Sequence, residues 1–204
     1  MTTLTRREFL KSSGALVVSF AAPPITGAVA QVAGGKPALV PTELDSWVAV
    51  LPDGRVQAFF GKMDMGQCLE VAIAQIVADE LDVACDKVEV LMGDTGTSCN
   101  QGGASGSTGV SNGGRLLRNA AAEARRLLLE GASRKLDVPV DQLQIDDGVI
   151  RSAAKQVSYA ELIGGKYFHQ QVEWNKQVGN AMDIKVRAKP KSPADYKEIG
   201  RAHV

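Results

Sequence analysis

Residues 93–114 constrain this chain more than any other stretch. Eight of its 21 glycines fall there, mixed with serine, threonine and asparagine. Such a composition builds neither a helix interior nor a buried strand, so the segment is a long loop. A strand-like run, Lys87 to Met92, leads into it. A helix-like run leads out, from about Arg115 to Leu136, with Leu116, Leu117, Ala120, Ala124, Leu127, Leu128 and Leu136 on one side. Glycines let a backbone approach a ligand closely and turn successive N–H groups toward it. Ser105, Ser107 and Thr108 add hydroxyl donors, and Ser111 or Asn112 stands where it would cap the helix, whose N-terminal end favours anions. The candidate phosphate cradle is therefore Gly103, Ala104, Ser105, Gly106, Ser107 and Thr108. It is not a P-loop, because Gly106 is followed by Ser107-Thr108 and not by Lys-Ser/Thr. Nor is it the dinucleotide fingerprint, because Gly103, Gly106 and Gly109 are spaced three and three. Taken alone, the loop also fits a flexible surface segment with no ligand.

Around this loop the pattern alternates between strands and helices. Trp47 to Phe60 predicts a hairpin turning at Pro52-Asp53-Gly54. Leu69, Ala72, Ile73, Ile76, Val77 and Leu81 share one helix face. Leu143 to Arg151 predicts a second hairpin around Asp146-Asp147-Gly148, and Val157 to Tyr159 a short strand, with Ser158 also placed to start a helix through Ile163. The expected fold is α+β, a mixed β-sheet covered by two helices. Residues 164–193 show no pattern. They read as an extended excursion, mobile in isolation, that packs on another part of the protein. A second bend, Met63-Asp64-Met65-Gly66-Gln67-Cys68, lies between strand and helix. There the Gln67 amide, donor and acceptor at once, suits the edge of a heterocycle, although a turn glutamine capping its helix is the simpler role.

The first thirty residues read as an address. Thr5-Arg6-Arg7-Glu8-Phe9-Leu10-Lys11, an apolar run from Ala15 to Ala22 and a small-residue site at Ala28-Val29-Ala30 match a twin-arginine export signal. A periplasmic protein that folds around its cofactor before export is the expectation. Lys+Arg and Asp+Glu balance at 23 each, which leaves no electrostatic case for nucleic acid. Cys68, Cys85 and Cys99 lack C-x-x-C spacing, and His169 and His203 are far apart, so zinc and Fe–S ligation are not expected. The thiols read as small, buried or partly buried groups.

The combination resembles one family. Met65-Gly66-Gln67, Gln75 to Leu81, Val88-Glu89-Val90 with Gly93-Asp94-Thr95, and Gly103 to Thr108 resemble the molybdopterin-binding large subunit of the xanthine dehydrogenase/aldehyde oxidase family. Tyr159 to Phe168 and Pro193 to Gly200 look like its isoquinoline 1-oxidoreductase beta-type members. The resemblance implies a molybdenum–pterin cofactor, usually in the cytosine dinucleotide form. It implies hydroxylation of an aldehyde or N-heterocycle with oxygen from water. Electrons would pass to a 2Fe-2S small subunit and, in exported relatives, often to a c-type cytochrome. Gly66 and Gln67 would then meet the pterin and its phosphates, Gly103 to Thr108 would cradle the cofactor, and Asp94 and Thr95 would brace the loop. Cys68 departs from the glycine usual at its position. Members run to several hundred residues, with the catalytic glutamate in a later segment, so the expectation is an N-terminal fragment without a catalytic residue. The organisation implied is a signal at 1–30, a partial molybdopterin-binding domain at 31–163, and an extended segment at 164–204 leading to a further domain. An exported, non-enzymatic anion- or nucleotide-binding module is the alternative. Glu70, Glu80 and Glu123 read as solvated or structural helix carboxylates.

Overall fold

The expected hairpin forms strands β1 (Val48–Val50) and β2 (Val56–Phe60), with Val48 opposite Ala58 and Val50 opposite Val56. Asp53 tightens its turn by accepting the Arg55 N–H at 3.0 Å. Strand β3 (Val88–Met92) lies on the other side of β2 and runs parallel to it, Val56 opposite Val88 and Phe60 opposite Met92. Parallel neighbours need a crossover, and helix α1 (Leu69–Leu81) supplies it. This computed structural model describes residues 39–198. The signal expected at residues 1–30 and the tail from Ile199 to Val204 lie outside the described residues.

Helix α2 (Arg115–Leu136) packs against α1 and the sheet. Ala120, Ala121 and Ala124 are fully buried along it, so the helices approach closely over a face of small residues. The mixed sheet with two covering helices is as expected. A second antiparallel sheet joins β4 (Gln144–Asp146), β5 (Val149–Arg151) and β6 (Gln156–Ser158). It docks on the end of α1, where the Tyr159 hydroxyl donates to the Leu81 carbonyl at 2.7 Å and the Gly148 N–H to that of Asp82 at 3.0 Å. Ser158 caps helix α3 (Tyr159–Ile163) in a reciprocal box with Glu161.

The start of α2 differs from expectation. Neither Ser111 nor Asn112 caps it. Both lie inside a π-helical turn, Gly109–Gly114, past the position of a cap. Ser111 donates instead to the Ser107 carbonyl and Asn112 to that of Asn180.

The unpatterned segment from residue 164 onward packs on this chain's own helices. Leu44 and Val172 donate backbone N–H groups across to Gln170 and Thr42, and the ribbon of β7 (Glu173–Trp174) and β8 (Ile184–Lys185) buries Met182 and Ile184. Buried carboxylates pin the rest. Glu123 on α2 accepts the N–H groups of Arg187 and Ala188 at 3.0 and 2.9 Å. On α1, Glu80 accepts that of Lys191, and Asp79 those of Lys197 and Glu198. Asp45 takes those of Phe168 and His169. Glu80 and Glu123 are thus structural and buried, whereas Glu70 is exposed. The segment shows no periodicity because its order comes from acceptors carried by other elements.

Two outcomes follow. Glu80→Ala strands Arg118, Arg125 and the Lys191 N–H, which Glu80 holds at 3.1, 3.5 and 3.0 Å. It is expected to cost about 3 kcal/mol in urea unfolding, and a loss under about 1 kcal/mol would contradict this pinning. Burial pushes the Glu123 carboxyl up, but hydrogen bonds from Arg126, Ala188 and Arg187 outweigh it and hold it below its ordinary 4.5. A depressed folded-state pKa gives stability that is complete above the ordinary value and lost as pH falls through the folded one. Unfolding free energy should drop between about pH 5 and pH 3, and drop less in Glu123→Gln. Identical pH slopes for the two proteins would refute the assignment.

Candidate functional site

The two bends singled out by sequence lie side by side, joined by a residue that sequence reasoning passed over. Lys62 ends the stretch after β2 and precedes Met63. Its ammonium donates to the Gly103 carbonyl at 3.0 Å, the Thr108 hydroxyl at 3.5 Å and the Asn180 side-chain carbonyl at 2.6 Å. A side chain on Gly109 would collide with Leu69, the first residue of α1, at 2.9 Å, so the far end of the glycine-rich bend abuts the helix that the first bend opens. Gly66, Gln67, Gly103, Ser105, Gly106 and Ser107 are exposed, with Ala104 and Thr108 half-buried.

The Met63–Cys68 bend spends its donors internally. Asp64 accepts the N–H groups of Gly66 at 2.8 Å, Gln67 at 3.0 Å and Glu70 at 3.1 Å. These bonds, that of Glu70 foremost, hold its carboxyl below the usual range. A carboxylate closing the helix start this way disfavours an anion there. The Gln67 amide is folded back, accepting from Met65 N–H at 2.7 Å and donating to the Met63 carbonyl at 3.1 Å. What this bend offers outward is the apolar surface of Met63 and Met65, 58% and 72% exposed, and an amide that must rotate to reach a ligand. Cys68 stands at φ 56 with its thiol exposed, a left-handed conformation that favours glycine. The thiol is thus neither buried nor partly buried, because it sits on the outer side of the helix start.

The Gly103–Thr108 bend is arranged the opposite way. Its carbonyls point inward: that of Gly103 to Lys62, and that of Ser105 to the Thr108 hydroxyl at 2.7 Å and the Thr108 N–H at 3.3 Å. In a trans peptide the N–H opposes the carbonyl. The Ala104 N–H therefore faces away from Lys62 and the Gly106 N–H away from Thr108, and the N–H groups of Ala104, Ser105, Gly106 and Ser107 make no hydrogen bond among the described residues. Gly106 and Ser107 both adopt positive φ, 61° and 55°. Successive unpaired amides on a tight bend form an anion-binding concavity.

The bend is rooted by close backbone approaches. A Cβ on Gly61 would meet the Cys99 carbonyl oxygen at 1.8 Å, and one on Gly102, where φ is +79°, would meet Gly179 and Asn180 at 2.9 Å. Asp94 braces the preceding turn by accepting the Gly96 N–H at 2.7 Å. Thr95 lines a separate hollow of about 460 Å³ with Leu39, Cys99, Trp174, Val178 and Met182. Beneath the bend, Gln101 is 1% exposed, and neither atom of its amide has a hydrogen-bond partner among the described residues. Its Oε1 lies 3.2 Å from where a Cβ on Gly113 would stand. Lys62, Gln101 and Asn180 are the residues that sequence reading missed. Lys62 lacked a signal because an isolated lysine after a strand reads as surface. Asn180 sits in the unpatterned segment. Gln101 lay inside the loop and was overshadowed by its glycines.

Such a bend, with four unpaired amides, can hold a phosphate or pyrophosphate without a cluster of surface cations. No group of three or more His, Cys, Asp or Glu side chains suited to a metal exists among the described residues. A family model described as the molybdopterin cofactor-binding domain matches residues 23–198. A nicotinate dehydrogenase subunit from Pseudomonas putida is 38% identical over 199 residues, covering 97% of this chain and 16% of that protein. The beta subunit of isoquinoline 1-oxidoreductase from Brevundimonas diminuta is 30% identical over 169 residues, 78% of this chain and 22% of that protein. Among solved structures, the CO dehydrogenase of Oligotropha carboxidovorans aligns over 56% of this chain and 15% of its own, with 28% identity and a TM-score of 0.48. The chain thus spans about a fifth or less of the length of these relatives. The residues present fit a phosphate-bearing pterin: free backbone donors, a buried ammonium behind them and an orphaned amide at their root.

An orphaned amide costs stability. Gln101→Met is expected to raise the unfolding free energy by about 1–2 kcal/mol, since an apolar side chain of similar size removes two buried unpaired groups. Thermal or urea unfolding measures it, and a destabilised variant would show that the amide is paired in solution.

Proposed function

Because the chain belongs to the molybdopterin cofactor-binding domain family, we propose that it holds the phosphate end of the cofactor in a molybdenum oxidoreductase subunit. The unpaired amides of Ala104, Ser105, Gly106 and Ser107, of which Lys62 turns that of Ala104 outward and Thr108 that of Gly106, carry this reading. Gly103 and Thr108 shape the bend, with Ser105 and Ser107 adding hydroxyl donors. Gly66 turns the neighbouring bend at φ 98. Gln67, rotated off its own loop, presents a donor and an acceptor to the edge of the pterin. When bound, the molybdenum–pterin group supplies the two-electron redox chemistry. The chain's own part is to hold and orient.

The assembly we propose is the one the family resemblance suggested. The cofactor is the cytosine dinucleotide form, and the reaction is hydroxylation of an aldehyde or N-heterocycle with water as oxygen source. A 2Fe-2S small subunit takes the electrons, with a c-type cytochrome beyond it in the periplasm. The names of the relatives support the substrate class, one being a nicotinate dehydrogenase subunit and another an isoquinoline oxidoreductase subunit. The Arg6-Arg7 segment supports export. Among the described residues no helix is long and apolar enough to cross a membrane. No catalytic residue is assigned in this chain.

Anaerobic titration of the isotope-labelled 204-residue chain with molybdopterin cytosine dinucleotide, followed amide by amide, tests the reading. Shifts are expected at Ala104–Ser107 and at the Gln67 side chain. The affinity should be weak, on the order of millimolar, because a cofactor gripped on one side recovers little of its ordering cost. Cytidine diphosphate binding as strongly as the pterin compound would favour the non-enzymatic nucleotide-binding module, and an undisturbed bend would sink the proposal.

A further inference from the structure

Lys62 is 2% exposed, yet no acid among the described residues pairs with its ammonium. Its acceptors are two carbonyl groups and a hydroxyl, all uncharged. Two of the buried acids are balanced by arginines, Glu80 by Arg118 and Arg125 and Glu123 by Arg126, while Asp45 is held by the backbone N–H groups of Phe168 and His169. Burying an ammonium without an opposite charge costs several kcal/mol, and burial lowers the Lys62 pKa. A glutamine has the length and the donor to hold the same carbonyls without that cost. A cation here is therefore informative.

Its placement supplies the reason. The ammonium sits directly behind the Gly103–Ala104 peptide. By binding the carbonyl it turns the Ala104 N–H outward, and its field reaches the outer face through one thickness of backbone. Asn180, itself tied to Asn112 at 2.9 Å, fixes the ammonium from the other side. We propose that Lys62 is the counter-charge and positioning residue of the phosphate cradle, neutralising a bound pyrophosphate from beneath the loop. This rests on the reading of the Gly103–Thr108 bend as an anion site. It adds that selectivity for a doubly phosphorylated ligand comes from an internal cation and not from surface lysines. Lys62 acts through the peptide and does not touch the reacting atoms.

Inorganic pyrophosphate is the probe, titrated into the labelled wild-type chain, Lys62→Gln and Lys62→Met at two salt concentrations. Wild-type shifts at Ala104–Ser107 are expected. Both variants should bind about tenfold more weakly, with a flatter salt dependence, since a unit charge a few ångströms away in a partly buried site is worth at least that much. If Lys62 only holds the loop by hydrogen bonding, Lys62→Gln binds as wild type does and only Lys62→Met weakens. That pattern overturns the proposal while leaving the anion site standing. Absence of wild-type shifts in the bend overturns the anion site itself. Should the variants fail to fold, the wild type decides. Pyrophosphate must raise the Lys62 pKa, read from its side-chain carbon resonance, and an unmoved pKa refutes the counter-charge.

Discussion

Carboxylates buried on the two covering helices organise much of this molecule. Glu80 and Glu123 point away from water into residues 186–192, which have no secondary structure of their own, and accept the backbone N–H groups of Lys191 and of Arg187 and Ala188 that would otherwise be stranded. Arginines on α2 close the charge balance from the flank. The arrangement converts a polar, irregular strap into part of the core. Interiors tolerate charge when every lone pair is used and an opposite charge stands nearby, and both conditions are met here.

From that strap the order passes to the site. The 175–183 excursion is held against the start of α2 by Arg115–Asp183 and by Asn119 donating to the Ile184 carbonyl. It delivers Asn180 to Lys62, and Lys62 in turn sets the orientation of the Gly103–Ala104 peptide. A bend of glycine and serine has almost no intrinsic shape. Here its shape is imposed by groups whose own positions depend on contacts between segments far apart in the chain. Two neighbouring bends come out electrically opposite as a result: one spends its amides on Asp64, the other leaves them open.

Gln101 shows the same site from the side of stability. A fully buried amide without partners is rare in a folded chain and persists at some cost. Its place at the root of the open bend, between Phe60, Gly61 and Gly113, puts that cost where a ligand is to be held. Cys68, held at positive φ where glycine is easier, is a second local strain, in the neighbouring bend. Both belong to a region shaped for something other than maximum stability.

Periodicity alone determined the sheet, both helices and the place of the two bends, because alternating strands and a 3.6-residue apolar face leave little choice of element. The Ser158–Glu161 cap was legible for the same reason, being a local pairing of side chain with backbone. The family was legible because short motifs kept their order along the chain. Tertiary structure decided the rest. Asp64 consumes the donors that made the first bend look receptive, the entrance to α2 is a π-helical turn beyond the reach of Ser111 or Asn112, and the unpatterned segment is ordered by acids on distant helices. Lys62 became visible only when folding set it beneath Gly103. Hydrogen bonds and charges between residues far apart in the chain leave no spacing in a sequence, since what specifies them is the geometry of the elements between.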